Sequence, residues 1–120
     1  MYLRNTWYAA TWERDIAADP VGVTVLGERI AIYRTASGRY AALIDECAHR
    51  KTPLSIGRVA GEHLECGYHG MRYDARGVCV LAPTNGTVPL GAVLRSYPVT
   101  AKHGLVWIWM GDPDLANPDD

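Results

Sequence analysis

Cys47-Ala48-His49, then sixteen residues, then Cys66-Gly67-Tyr68-His69 is the stretch on which the reading of this chain turns. Each half sets one thiol and one imidazole on a short loop, close enough together to reach the same small object. The chain has three cysteines and four histidines. Two matched pairs drawn from so small a stock stand out against the ordinary reading of isolated Cys and His as buried thiols and satisfied rings.

The segments around these loops alternate or cluster as strands do. Gly22 to Leu26 is rich in β-branched residues, and Arg29 to Arg34 follows with the Ile-Ala-Ile-Tyr centre of a buried strand. Ser37-Gly38 supplies a turn, and Arg39 to Ile44 reads as the returning strand of a hairpin. Further strands are expected at His63 to Cys66, Met71 to Tyr73, Val78 to Leu81, Leu94 to Thr100 and Leu105 to Met110. Asp74-Ala75-Arg76-Gly77 is expected as a tight turn between two of them. Glu13 to Ala18 offers one helical turn, ended by Asp19-Pro20. Many short strands with glycine-containing turns predict an all-β protein, an antiparallel β-sandwich or small barrel. Gly111 to Asp120 is acidic, proline-punctuated and poor in core residues, so it reads as a linker or frayed tail.

The bulk properties narrow the function. The chain has 120 residues, the size of one domain, and is 48% hydrophobic and 21% charged, which argues against disorder. The formal charge of −1 gives no basic excess for nucleic acid or an anionic membrane. The longest apolar run, Leu105 to Met110, is far too short to span a bilayer. Met1 to Trp7 lacks the basic-then-apolar order of a secretory signal. Three cysteines cannot all pair, which favours reduced thiols and a cytoplasmic protein.

Two thiols and two imidazoles admit two metal readings. A Rieske-type [2Fe–2S] cluster takes two thiolates on one iron and two imidazoles on the other. Cys47 and Cys66 would hold the inner iron, and His49 and His69 the outer one. A tetrahedral structural zinc site uses the same donors, but zinc spacing usually pairs like with like, whereas each loop here mixes one of each. Gly67 and Gly70 bracket Tyr68-His69 and would let backbone N–H groups approach bridging sulfides. Pro83 either shields the cluster on a third loop or is an ordinary turn proline. Cys79 lacks a nearby His and is expected as a small core residue.

Cys47-Ala48-His49-Arg50, Pro53-Leu54-Ser55 with Gly57, and Cys66-Gly67-Tyr68-His69-Gly70 together resemble the Rieske domain of ring-hydroxylating oxygenases. Asn5 to Ala10 and Gly104 to Pro113 are similar to the vanillate O-demethylase oxygenase subunit group. Ala48, Lys51 and Met71 depart from the residues common there, but none of these changes removes a ligand. The resemblance implies a Rieske [2Fe-2S] fold over residues 1–110, with a small cluster-binding subdomain built on loops at about 45–85, and Arg50, Gly67, Tyr68, Gly70 and Pro83 around the ligands. Residues 111–120 would lead toward a catalytic domain outside the chain.

The resemblance further implies a flavin or iron–sulfur reductase using NAD(P)H as electron donor. It implies a mononuclear non-haem iron as acceptor, aromatic hydroxylation or O-demethylation as the reaction, and a homo-oligomer at full length. His63 and His103 are the only spare histidines and have no local carboxylate-and-His cluster, so that second iron site is not expected here. The alternative from another class is a free-standing Rieske ferredoxin, which the length suits. Trp107 and Trp109 share one face at period two and are expected in the core ahead of an interface.

Overall fold

The computed structural model describes residues 4–47, 52–67, 70–82 and 91–117. Among them eleven strands form three sheets in which every pairing is antiparallel. β1 (Thr6–Trp12), β10 (Val99–Lys102) and β11 (Leu105–Met110) make an outer sheet in the order β1-β11-β10. β2 (Val21–Val25), β3 (Glu28–Arg34), β4 (Tyr40–Ile44) and β9 (Ser96–Tyr97) make a middle sheet in the order β2-β3-β4-β9. β5 (Arg58–Ala60), β6 (His63–Glu65), β7 (Arg72–Tyr73) and β8 (Cys79–Leu81) form a small third sheet in chain order.

The middle sheet explains the unbroken apolar run. Ile30, Ala31, Ile32 and Tyr33 are all fully buried, because successive side chains point to opposite faces and both faces are covered. Ile30, Ile32 and Ala42 pack with Val106, Ile108 and Met110 of the outer sheet. Ala31, Tyr33, Ala41 and Leu43 pack the other way, with Leu64, Met71, Tyr73 and both Cys47 and Cys66. One sheet thus serves two cores, and the second holds both Cys47 and Cys66. Among the described residues no helix is long and apolar enough to cross a membrane.

Local departures from the expected elements have physical causes. Leu26, expected at the end of a strand, lies in the β2–β3 turn with φ +51, followed by Gly27 at φ +80. Both central residues are left-handed, as in a type I′ two-residue hairpin, whose twist matches that of the strands. The expected single strand Leu94 to Thr100 is two strands, broken at Pro98. β9 pairs with β4 while β10 pairs with β11, so the chain crosses between sheets at a residue that has no N–H to give to either. β1 and β5 were not expected as strands, and the helical turn shrinks to a 3-10 turn at Glu13–Asp15. The Asp74–Gly77 turn is present, with Asp74 Oδ1 accepting the N–H groups of Arg76 and Val78.

The two tryptophans of β11 face away from the core. Val106, Ile108 and Met110 take the inward positions, so Trp107 and Trp109 occupy the outer face. Trp109 is nonetheless buried, because Trp7 stacks edge-on against it at 5.4 Å. The stretch after Gly111 also folds back over this face. Trp109 Nε1 donates to the Asp112 carbonyl at 2.7 Å and Trp7 Nε1 to the Asn117 carbonyl at 3.0 Å.

Candidate metal centre

The two cysteines of the paired motif come together in one core. Cys47 follows β4, Cys66 follows β6, and both are essentially withdrawn from solvent within a single hydrophobic cluster. The neck of each loop is closed in the same way. Cys47 N–H donates to the Thr52 carbonyl and Cys66 N–H to the Met71 carbonyl, each at 2.7 Å and each five residues on. The loops thus closed contain residues 48–51 and 67–70. His49 and Arg50 in the first, Tyr68 and His69 in the second, and Pro83 lie outside the described residues.

The segments flanking the loops also lean on one another. A Cβ at Gly57 would collide with the Glu65 carbonyl oxygen and stand 3.1 Å from the Gly67 nitrogen, so the segment after the first loop lies directly on the stem of the second. Gly67 likewise faces the Ile56 carbonyl, where a Cβ would sit at 3.3 Å. Gly70 has open space around it but φ +68, so its glycine serves the turn.

Around the Cys47 sulfur the walls are soft and polarisable. Tyr73 Oη lies 3.3 Å from Cys47 Sγ, and Met71 Sδ lies 3.8 Å from it. Tyr73 was not singled out by sequence. The signal that points to it is period two along β7, with Met71 and Tyr73 inward and Arg72 outward. Cys79 sits in the same core and its Sγ faces the Leu81 carbonyl at 3.7 Å. Burial pushes its thiol up, and the nearby Cys47 adds to the rise.

Charge gathers at the base of the second loop. Glu65, directly before Cys66, pairs with Arg58 at 2.6 Å and Arg72 at 2.8 Å, across the β5–β6 and β6–β7 registers. The hydrogen bonds from these two guanidinium groups hold its carboxyl below the usual range. His63 lies part-exposed on β6, and His103 sits exposed in the β10–β11 turn at φ +58. Among the described residues no three of His, Cys, Asp and Glu gather as metal ligands, so neither spare histidine belongs to such a group.

The donor chemistry fits an iron–sulfur group. No disulfide joins the three cysteines. Two buried soft thiols on matched loops supply what the inner iron of a cluster requires, with a histidine two or three residues further on in each loop.

Known proteins agree. The family model described as "Rieske [2Fe-2S] domain" matches residues 6–98, which decides for the cluster over zinc. The chain is 45% identical, over its full length, to the toluene-4-sulfonate monooxygenase system iron-sulfur subunit of Comamonas testosteroni, covering 35% of that protein. It is 38% identical to the vanillate O-demethylase oxygenase subunit of a Pseudomonas species, over 98% of this chain and 33% of the relative. A crystal structure of dicamba monooxygenase bound to dicamba superposes with a TM-score of 0.89 at 44% identity, over 98% of this chain and 36% of the other. The expected likeness to oxygenase subunits, vanillate O-demethylase among them, is therefore present. The chain spans about a third of the length of the relatives it matches.

Proposed function

The chain belongs to the Rieske [2Fe-2S] domain family, and from that premise we propose that it is the N-terminal electron-transfer domain of an aromatic-compound oxygenase or O-demethylase. Cys47 and Cys66 hold one iron of the cluster, and His49 and His69 hold the other. Arg50, Gly67, Tyr68, Gly70 and Pro83 line the surrounding loops. The observation that carries this reading is the pair of buried thiols at the necks of two identically closed loops, each followed by its histidine. When bound, the [2Fe–2S] cluster supplies a one-electron store, at a potential raised by imidazole in place of two thiolates.

The chain's own residues do the rest. The core formed by Leu54, Leu64, Met71, Tyr73 and Leu94 keeps water from the thiolate side. The Arg58–Glu65–Arg72 ladder ties together the three strands beneath the second loop. Tyr73 presents a hydroxyl to the Cys47 sulfur. In the full protein, the domain takes electrons from an NAD(P)H-dependent flavin or iron–sulfur reductase. It delivers them to a mononuclear non-haem iron outside these residues, in a cytoplasmic homo-oligomer. Residues 111–120 form the link toward that catalytic part.

Iron and acid-labile sulfide analysis, with an EPR spectrum of the reduced chain, tests the assignment. Two iron and two sulfide per chain with a Rieske-type signal are expected, and both lost in His69→Ala. One zinc without sulfide would overturn it.

A further inference from the structure

Asp45 is the sole buried charged side chain among the described residues, and its carboxylate is 0% exposed. It stands two residues before Cys47. Oδ1 accepts the Ser55 N–H at 2.7 Å, and Oδ2 accepts the Ser55 hydroxyl at 2.7 Å and the Arg29 guanidinium at 3.3 Å. The group has a socket built for it on β2. A Cβ at Gly22 would stand 2.8 Å from the Arg29 nitrogen, 2.8 Å from Ser55 Oγ and 3.0 Å from Asp45 Oδ2.

A buried carboxylate is tolerated only when its hydrogen bonds are fully met, so its position here calls for a reason. The two loop necks supply one. The 67–70 loop ends the β6–β7 pair, and the ladder Leu64↔Tyr73, Glu65↔Arg72 holds its stem together with backbone bonds. The 48–51 loop has no such ladder. β4 ends at Ile44, and the returning segment is a 3-10 turn at Leu54–Ile56, not a strand. The contact from Asp45 to Ser55 stands where the ladder would be, outside the inner closure from Cys47 to Thr52.

We propose that Asp45 is a positioning residue for the cluster, which with Ser55 and Arg29 clamps the neck of the loop bearing Cys47 and His49. The inference rests on those two residues being ligands. Asp45 touches no iron and works by holding the loop in its ligating shape, so that binding does not have to order it.

The test uses the iron–sulfide-loaded chain and compares cluster release to a chelator, the EPR signal and the midpoint potential. Asp45→Ala should release its cluster about tenfold faster, the scale of one lost charge-assisted hydrogen bond. Ser55→Ala should fall between that variant and the parent. Asp45→Asn keeps an oxygen for the Ser55 N–H but carries no charge. It should restore retention while shifting the potential upward, because a fixed anion two residues from a ligand is gone. Thr35→Val removes the other buried polar side chain among the described residues and is the control for general destabilisation. Its release rate should match the parent. If Asp45→Ala does not fold, Ser55→Ala and Asp45→Asn carry the test. Parent-like release, EPR and potential in both would overturn the clamp. A parent chain that takes up no Rieske-type cluster would overturn the ligand assignment instead.

Discussion

Replacing Tyr73 with Phe removes one atom from the wall of the Cys47 sulfur. The hydroxyl lies 3.3 Å from Sγ and its ring is fully buried, so the change alters a hydrogen bond and leaves the shape of the core intact. While Cys47 is a thiol, either atom can donate. Once the sulfur binds iron it has no proton, and the tyrosine must be the donor. A donor to a bound thiolate is strengthened when the site gains an electron, so its removal lowers the potential. A hydrogen bond to a charged acceptor contributes about 1.5–3 kcal/mol, of which only the part that changes with the electron counts. Taking that part as about 1 kcal/mol gives about 40 mV for a one-electron couple, at 59 mV per tenfold. Tyr73→Phe should therefore lower the midpoint potential by about 40 mV with iron and sulfide content unchanged. Folding stability should fall by only about 1 kcal/mol. Voltammetry on the loaded variant, checked by EPR titration, reads the shift. An unchanged or raised potential in a fully loaded variant would refute Tyr73 as a donor to the cluster.

Two further substitutions probe the frame around the loops. Gly57→Ala drives a methyl into the Glu65 carbonyl and should destabilise the fold by more than about 2 kcal/mol, as overpacking against rigid backbone does. Gly61→Ala meets only open space at φ +65 and should lose about 1 kcal/mol; thermal melts that rank the two equal would count against the close approach at Gly57. Glu65→Gln tests the Arg58–Glu65–Arg72 ladder through pH. Because the folded carboxyl is held below its ordinary value of 4.5, the ionised ladder's stabilisation is fully present above that value and is lost as pH falls through the depressed one. The parent should exceed the variant by roughly 0.5–1 kcal/mol at pH 7, the screened range for exposed pairs, and the gap should close as pH falls through the depressed value. A gap that persists in acid would show that Glu65 acts through packing.

How far the sequence reading reached depended on how local each feature is. The paired Cys and His spacing is set along the chain, so the metal chemistry could be read before any fold was known. The Ile30 to Tyr33 run and the Asp74–Gly77 turn were equally plain, since burial on both faces and turn chemistry leave direct marks in residue type. The split at Pro98 and the placement of Trp107 and Trp109 were not, because each depends on which distant strand supplies the partner. Tyr73 and Asp45 were overlooked for a related reason. Neither residue type is unusual where it stands, and their roles arise only when Cys47 or Ser55 arrives from elsewhere in the chain.

By itself, then, the sequence determined the all-β class and offered four candidate donor residues, and its motifs carried the likeness to oxygenase Rieske domains. The class and the candidate donors depend on alternation and spacing, which are short-range quantities. The tertiary structure alone decided that one middle sheet serves two cores, that the two loop necks are closed alike, and that one rests on a strand ladder and the other on a buried carboxylate. A hydrogen bond across ten residues or a glycine pressed against a distant carbonyl exists only once the chain has closed on itself.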